Sequence, residues 1–271
     1  MPLPESPTAP PRKARPRTVS SQARLRTATA AAALLLSTGG LAGCGSGAGS
    51  GGSGGVLAAP SQTPSATRAA APARTSDRLP GLGPHTLAKV PEEARQAVVV
   101  TGKGADSSDS TVVLYERTAD GWRAAGPTWP AHNALRGWTD DHRAGDLRSP
   151  RGVFTLTDAG GRLPDPGARL PYHRSAAFVV NGTGFRGEPL AGSFDYVVAI
   201  DYNRVRGTSP MDWSRPLGAA KGGGIWIHVD HGGPTQGCVS LIKPHMRALL
   251  RALDPARDPV VVMGDAAALA R

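Results

Sequence analysis

Ile225-Trp226-Ile227-His228-Val229-Asp230-His231-Gly232-Gly233-Pro234-Thr235-Gln236-Gly237-Cys238-Val239-Ser240-Leu241 is the stretch from which the rest of the chain is best read. Its alternating apolar start predicts a β-strand that carries His228. The Gly/Pro/Thr-rich middle predicts a loop that returns to a cysteine embedded in apolar residues. A short turn thus sets an imidazole near a thiol. A neighbouring imidazole can take the thiol proton and stabilise the thiolate, which is the species that attacks. Glycine at 237 lets the backbone N–H groups of Gly237 and Cys238 approach an oxygen on which charge develops. The plainer reading of Cys238 is a small buried apolar side chain. His231, three residues beyond His228, is a rival base; His228 is preferred because it follows Ile227 directly on the strand, where the scaffold holds it rigidly.

A second segment, Ser149-Pro150-Arg151-Gly152-Val153-Phe154-Thr155, lies upstream. Taken in order with Ile227-His228 and Thr235-Gln236-Gly237-Cys238-Val239, it resembles the paired motifs of the L,D-transpeptidase (YkuD-type) catalytic domain. The resemblance implies a mainly β fold, a YkuD-like β-sandwich of mixed sheets with one or two short helices. It implies a cysteine nucleophile at Cys238 and a base at His228, oriented by a backbone carbonyl, with no cofactor and no metal. The implied partners are peptidoglycan stem peptides. Attack at the L-centre carbonyl of the third-position diamino acid would release D-alanine and leave a thioester. Capture by another stem's side-chain amine gives a 3→3 crosslink; capture by water makes the protein an L,D-carboxypeptidase or amidase that hydrolyses the same stems. His231, Thr235, Gln236 and Ser240 around the cysteine, and Tyr172 and His173 upstream, are candidate base or substrate contacts. Many family members have a longer His-to-Cys loop, a His or Arg before the Gly-Cys pair, and an Arg or Asn two places after the cysteine. Here Gln236 and Ser240 take those two positions, on a compact loop.

The chain of 271 residues begins with an address. Arg12, Lys13, Arg15, Arg17, Arg24 and Arg26 precede an apolar run, Ala28 to Leu36, too short to span a bilayer, so residues 1–43 read as a signal peptide. Leu41-Ala42-Gly43-Cys44 resembles the bacterial lipobox, which would make Cys44 a lipidated N-terminus on the outer face of the membrane. The alternative is an ordinary secretory signal with a chance cysteine. With Cys44 acylated, Cys238, the second of two cysteines, has no partner for a disulfide. Residues 44–88 are rich in Gly, Ser, Ala, Pro and Thr and read as a disordered tether. The first 43 residues hold six basic side chains against the single acid Glu5, so half of the formal charge of +10 leaves with the signal. No Lys/Arg cluster is interleaved with aromatics, which argues against a nucleic-acid partner.

Residues 89–271 are expected to form one catalytic domain. Gln96–Thr101, Thr111–Arg117 and a strand from Trp122 predict a meander, with Asp120-Gly121 at a turn. The charges of Asp140-Asp141-His142-Arg143 are read as facing water, although the 132–147 stretch could also face substrate. Ser149 to Gly152 reads as a turn, and Val153–Thr157, Ala176–Val180, Asp195–Ile200 and Val260–Met263 as strands. Pro244 opens a helix with Met246, Leu249, Leu250 and Leu253 on its buried stripe. Two other functional classes stay open. His228, His231 and Cys238 form an H-x-x-H…C set that suits a zinc-dependent wall hydrolase. A non-catalytic wall-binding lipoprotein is the other.

Overall fold

The computed structural model describes residues 75–271. The expected signal peptide, the lipobox Cys44 and the tether as far as residue 74 lie outside the described residues. The described chain runs α1 (Pro84–Leu87), β1 (Gln96–Gly102), β2 (Asp109–Thr118), β3 (Gly121–Ala124), β4 (Trp129–His132), β5 (Trp138–Thr139), β6 (Ser149–Pro150) and β7 (Gly152–Thr155). It continues through β8 (Ala159–Gly161), β9 (Tyr172–Arg174), β10 (Val197–Ala199), β11 (Trp226–Val229), β12 (Val239–Leu241), α2 (Lys243–Ala252), β13 (Pro259–Asp265) and α3 (Ala266–Leu269).

The apolar run in β1 explains its central place. Val98 and Val100 enter the main core, while Ala97 and Val99 enter a smaller cluster with Leu79, Trp122, Val260, Val262 and Leu269. Side chains alternate across a strand, so a run that is apolar at every position is buried on both faces. β1 accordingly pairs in parallel with β13 and antiparallel with β2. The expected meander forms, with β3 on the Tyr115–Thr118 part of β2. β4 takes the other end of the same edge, at Asp109–Val112.

One mixed sheet of eleven strands then runs β7-β13-β1-β2-β4-β12-β11-β10-β8-β9, with β3 beside β2. The fold is mainly β with short helices, and its two layers are halves of one curled sheet. Val98, Val112 and Leu114 from one half share a single core with Ile227, Val239 and Leu241 from the other. The helix α2 fills that core with Met246, Leu249 and Leu250, followed by Leu253, all of them fully buried. Each such side chain contributes roughly 1.5–3 kcal/mol by leaving water. Its N-terminal Pro244 lacks only an N–H that no helical carbonyl would have accepted.

Three local expectations change. Ser149-Pro150 is not a turn but the short strand β6, parallel to β5; Ser149 is fully buried and its Oγ accepts from Ala134 N at 3.1 Å. Ala176–Val180 is not a strand, because Ser175 starts a bend in which its Oγ accepts from Ala177 N and only Phe178 is anchored inside. The preceding Tyr172–Arg174 takes the strand position instead, parallel to β8. The tether is also shorter than expected. Ser76 exchanges two backbone hydrogen bonds with Trp122, and Leu79 is buried, so the folded body begins well before residue 89. Its Pro and Gly content hides this, since one buried leucine makes no periodic pattern.

Candidate active site

The site sits where β11 and β12 lie side by side in parallel, joined by the loop from Asp230 to Cys238. Parallel neighbours usually need a crossover of a dozen or more residues. This shorter link is held by the segment after β4: Thr235 N donates to Asn133 O, and Leu135 N donates to Thr235 O. At its start, Asp230 accepts from Gly232 N, from Ser240 Oγ at 2.6 Å and from His132 Nδ1 at 2.8 Å. Burial works against the Asp230 carboxylate, but these hydrogen bonds outweigh it and hold its pKa at about 2. Ser240, a candidate contact, is therefore spent on the scaffold.

His228 is buried on β11, and its Nδ1 lies 2.9 Å from Val229 O. A carbonyl only accepts, so Nδ1 carries the proton and Nε2 is left as the basic nitrogen. Burial pushes the imidazole pKa down to about 4, against the opposing hydrogen bond to Val229, so the ring is neutral at neutral pH. Phe194 meets it edge-on at 5.5 Å, and His231 stacks on it at 5.9 Å. His231 itself is tied through Nδ1 to Glu188 Oε1 at 3.1 Å.

Cys238 lies just before β12. The register pairs His228 with Ser240 and Ile227 with Val239, so Cys238, two residues before Ser240, shares the face of the sheet that carries His228, one diagonal step away. Its Sγ accepts from Trp226 N at 3.4 Å and donates to Gly224 O at 3.6 Å. Burial pushes the thiol up to about 11, and the Trp226 N–H opposes this. The resting pair is therefore a neutral thiol and a neutral imidazole. The Cys238 carbonyl accepts from Thr235 Oγ1 at 2.6 Å and from Ser149 Oγ at 3.4 Å, which fixes the orientation of the peptide after the cysteine. Among the described residues, the N–H groups of Gly237 and Cys238 donate to no protein acceptor. The backbone is closely approached at Gly237: a Cβ there would press on Ile225 Cδ1 at 3.0 Å and touch His142 Cε1 at 3.6 Å.

Both side chains open into a cavity of about 660 Å³, with His231, Thr235 and the exposed Gln236 also on its wall. That size suits a peptide segment. A cysteine, a tautomer-fixed histidine and unpaired N–H groups on one concave wall are what acyl transfer through a thioester needs. The L,D-transpeptidase catalytic domain family, YkuD, matches residues 92–262.

The chain belongs to the YkuD family. Among solved structures, the chain is similar to the helical cell shape determining protein Pgp2 from Campylobacter jejuni, at 17% identity and a TM-score of 0.34. The similarity covers 63% of this chain and 47% of that one. No curated protein matches the chain.

Within the YkuD domain the other expected residues fall elsewhere. Tyr172 and His173 lie on β9, off the cavity wall, where Tyr172 Oη donates to Leu163 O and His173 Nε2 lies 3.4 Å from Asp158. The H-x-x-H…C set does not assemble as metal ligands: among the described residues no three metal-binding groups converge.

The structure also brings in residues that local patterns hide. In the charged run at 140–143, Asp140, Asp141 and Arg143 face water as expected, but His142 is buried on the cavity wall beside Gly237. Its Nδ1 is 3.0 Å from Asp146 Oδ1 but out of line for a hydrogen bond, and burial lowers its pKa against the pull of Asp146. Arg215 and Trp213 reach the cavity from a loop with no recognisable motif. The run Gly222–Gly224 is what admits His142 and Arg215. All three glycines have positive φ, and a Cβ on Gly222 or Gly223 would collide with His142 Nε2 or Arg215 Nε.

Proposed function

We propose that this YkuD domain is a cysteine-dependent L,D-transpeptidase acting on peptidoglycan stem peptides. The observation that carries the reading is the buried imidazole of His228, locked through Nδ1 on Val229 O, on the wall of the same cavity as Cys238. His228 Nε2 takes the thiol proton as Sγ bonds to the carbonyl carbon of the third-position diamino acid. The oxyanion is met by the N–H groups of Gly237 and Cys238. Collapse of the tetrahedral intermediate breaks the C–N bond, His228 returns the proton to the departing D-alanine amine, and a thioester remains. A side-chain amine of a second stem then attacks the thioester, loses its proton to His228, and expels the thiolate, which is reprotonated. The resting pKa values, about 4 and about 11, place proton transfer on the order of 10 kcal/mol uphill before substrate binds. Proton removal is therefore coupled to formation of the C–S bond rather than completed beforehand.

The test is incubation of the purified protein with a disaccharide-tetrapeptide, with products and intact protein read by mass spectrometry. A crosslinked dimer and an acyl adduct on Cys238 support the reading; tripeptide without dimer makes the enzyme a carboxypeptidase; unchanged substrate and an unmodified thiol reject catalysis. Loss of the product in both Cys238→Ser and His228→Ala is expected. We also read Cys44 as the lipidated N-terminus that holds the domain outside the membrane, which metabolic palmitate labelling tests.

A further inference from the structure

The cavity wall carries one side chain with a permanent charge. Its other titratable groups are the imidazoles of His142, His228 and His231 and the thiol of Cys238; Arg215 stays cationic at every working pH. Yet this guanidinium has no counter-ion among the described residues. Its Nη1 donates to Asp212 O at 3.1 Å and Ser214 O at 2.9 Å, and its Cζ lies 5.0 Å from the centroid of the exposed Trp213 ring. The nearest acid in sequence, Asp212, turns its carboxylate to Ser214 N at 2.6 Å. Neighbouring surface cations differ: Lys221 and Arg143 both pair with Asp141. Burial lowers the Arg215 pKa and Asp212 offsets this only in part, which marks surroundings short of negative charge.

The free end of the fork is aimed. A Cβ on Gly224 would lie 3.6 Å from Arg215 Nη2, and the carbonyl of Gly224 accepts from Cys238 Sγ at 3.6 Å. Cation and thiol thus flank one glycine, a separation on the scale of one or two residues at ~3.8 Å each. The bare backbone of Gly223, where a side chain would strike Nε, leaves room for the guanidinium in that place.

We propose that Arg215 binds a carboxylate of the acyl-donor stem, held one to two residue lengths from the carbonyl that Cys238 attacks. This rests on the transpeptidase reading and adds the group by which the donor is recognised. Two carboxylates meet the chemistry: the C-terminal one on the departing D-alanine, and the side-chain one of a third-position diamino diacid. A planar fork over an aromatic face suits either.

The experiment measures binding of tetrapeptide stems to the Cys238→Ala protein by calorimetry, with and without Arg215→Met or Arg215→Lys. The stems carry an amidated second residue and are compared as the free diacid, the C-terminal amide and the side-chain amide. Arg215→Met is expected to weaken binding of the diacid about 10- to 100-fold, the cost of one charge-assisted hydrogen bond. Arg215→Lys should recover part of this, keeping charge without the fork. One amide is expected to bind equally well with and without the Arg215→Met substitution, and that amide identifies the carboxylate. An equal loss for all three stems, or no loss, overturns the proposal, as does failure of every stem to bind. A protein with Cys238 intact that binds the stem in this Arg215-dependent way without turning it over rejects the transpeptidase reading and leaves the carboxylate site standing.

Discussion

Alkylation of Cys238 tests the neutral resting pair directly. The thiol donates to Gly224 O, accepts from Trp226 N, and has no hydrogen bond to His228, so burial, opposed by the Trp226 N–H, sets its resting protonation. With a pKa of about 11 against the ordinary 9.0, the thiolate fraction at neutral pH falls from about 10⁻² to about 10⁻⁴. Iodoacetamide should therefore label Cys238 about 100-fold more slowly than an unperturbed thiol, and the rate should climb about tenfold per pH unit throughout the neutral and mildly alkaline range. The slope is the diagnostic, because partial burial slows every reagent by a constant factor. Intact-mass kinetics would follow it. His228→Ala should leave the profile nearly unchanged, since His228 makes no hydrogen bond to the sulfur at rest. A rate that is flat between about pH 6 and pH 9, and becomes steep in His228→Ala, would reveal a preformed thiolate–imidazolium pair and refute the reasoning.

Three further outcomes are expected. His228 has a folded-state pKa of about 4 against 6.5, so the unfolded chain binds the extra proton; its contribution is present above pH 6.5 and lost as pH falls towards 4. Urea denaturation of wild type should show about 3 kcal/mol more loss across that window than His228→Phe, and equal losses would contradict the burial of a neutral ring. Leu249→Ala empties part of the core between the two halves of the sheet and should cost about 2–5 kcal/mol by the same measurement; a change below about 1 kcal/mol would mean that α2 does not pack as described. Gly237→Ala should cut turnover strongly with little loss of stability, because its Cβ presses on Ile225 and displaces the adjacent N–H groups; unaltered kcat would remove them from oxyanion binding.

Much of the fold is legible in the chain because the signals are local. The apolar run Ala97–Val100, the turn at Asp120-Gly121, and the Pro244 start with its Met246, Leu249 and Leu250 stripe each announce their element through periodicity or turn chemistry. Ser149-Pro150 and Ala176–Val180 mislead for the same reason. Each is set by contacts outside its own window: Ser149 with Ala134, and Phe178 with Trp226.

For the site, the sequence by itself determined the chemical pair. A strand carrying His228 near its end and a glycine-bearing loop ending in Cys238 are close in the chain, so their meeting needs little beyond a turn. Only the tertiary structure decided the tautomer of His228, the protonation of both partners, and the spending of Ser240 on Asp230. It alone brought His142 and Arg215 onto the same wall across a glycine run. The reason is physical: pKa, hydrogen-bond partner and burial depend on atoms that arrive from other strands and loops, and no spacing within one local stretch encodes them.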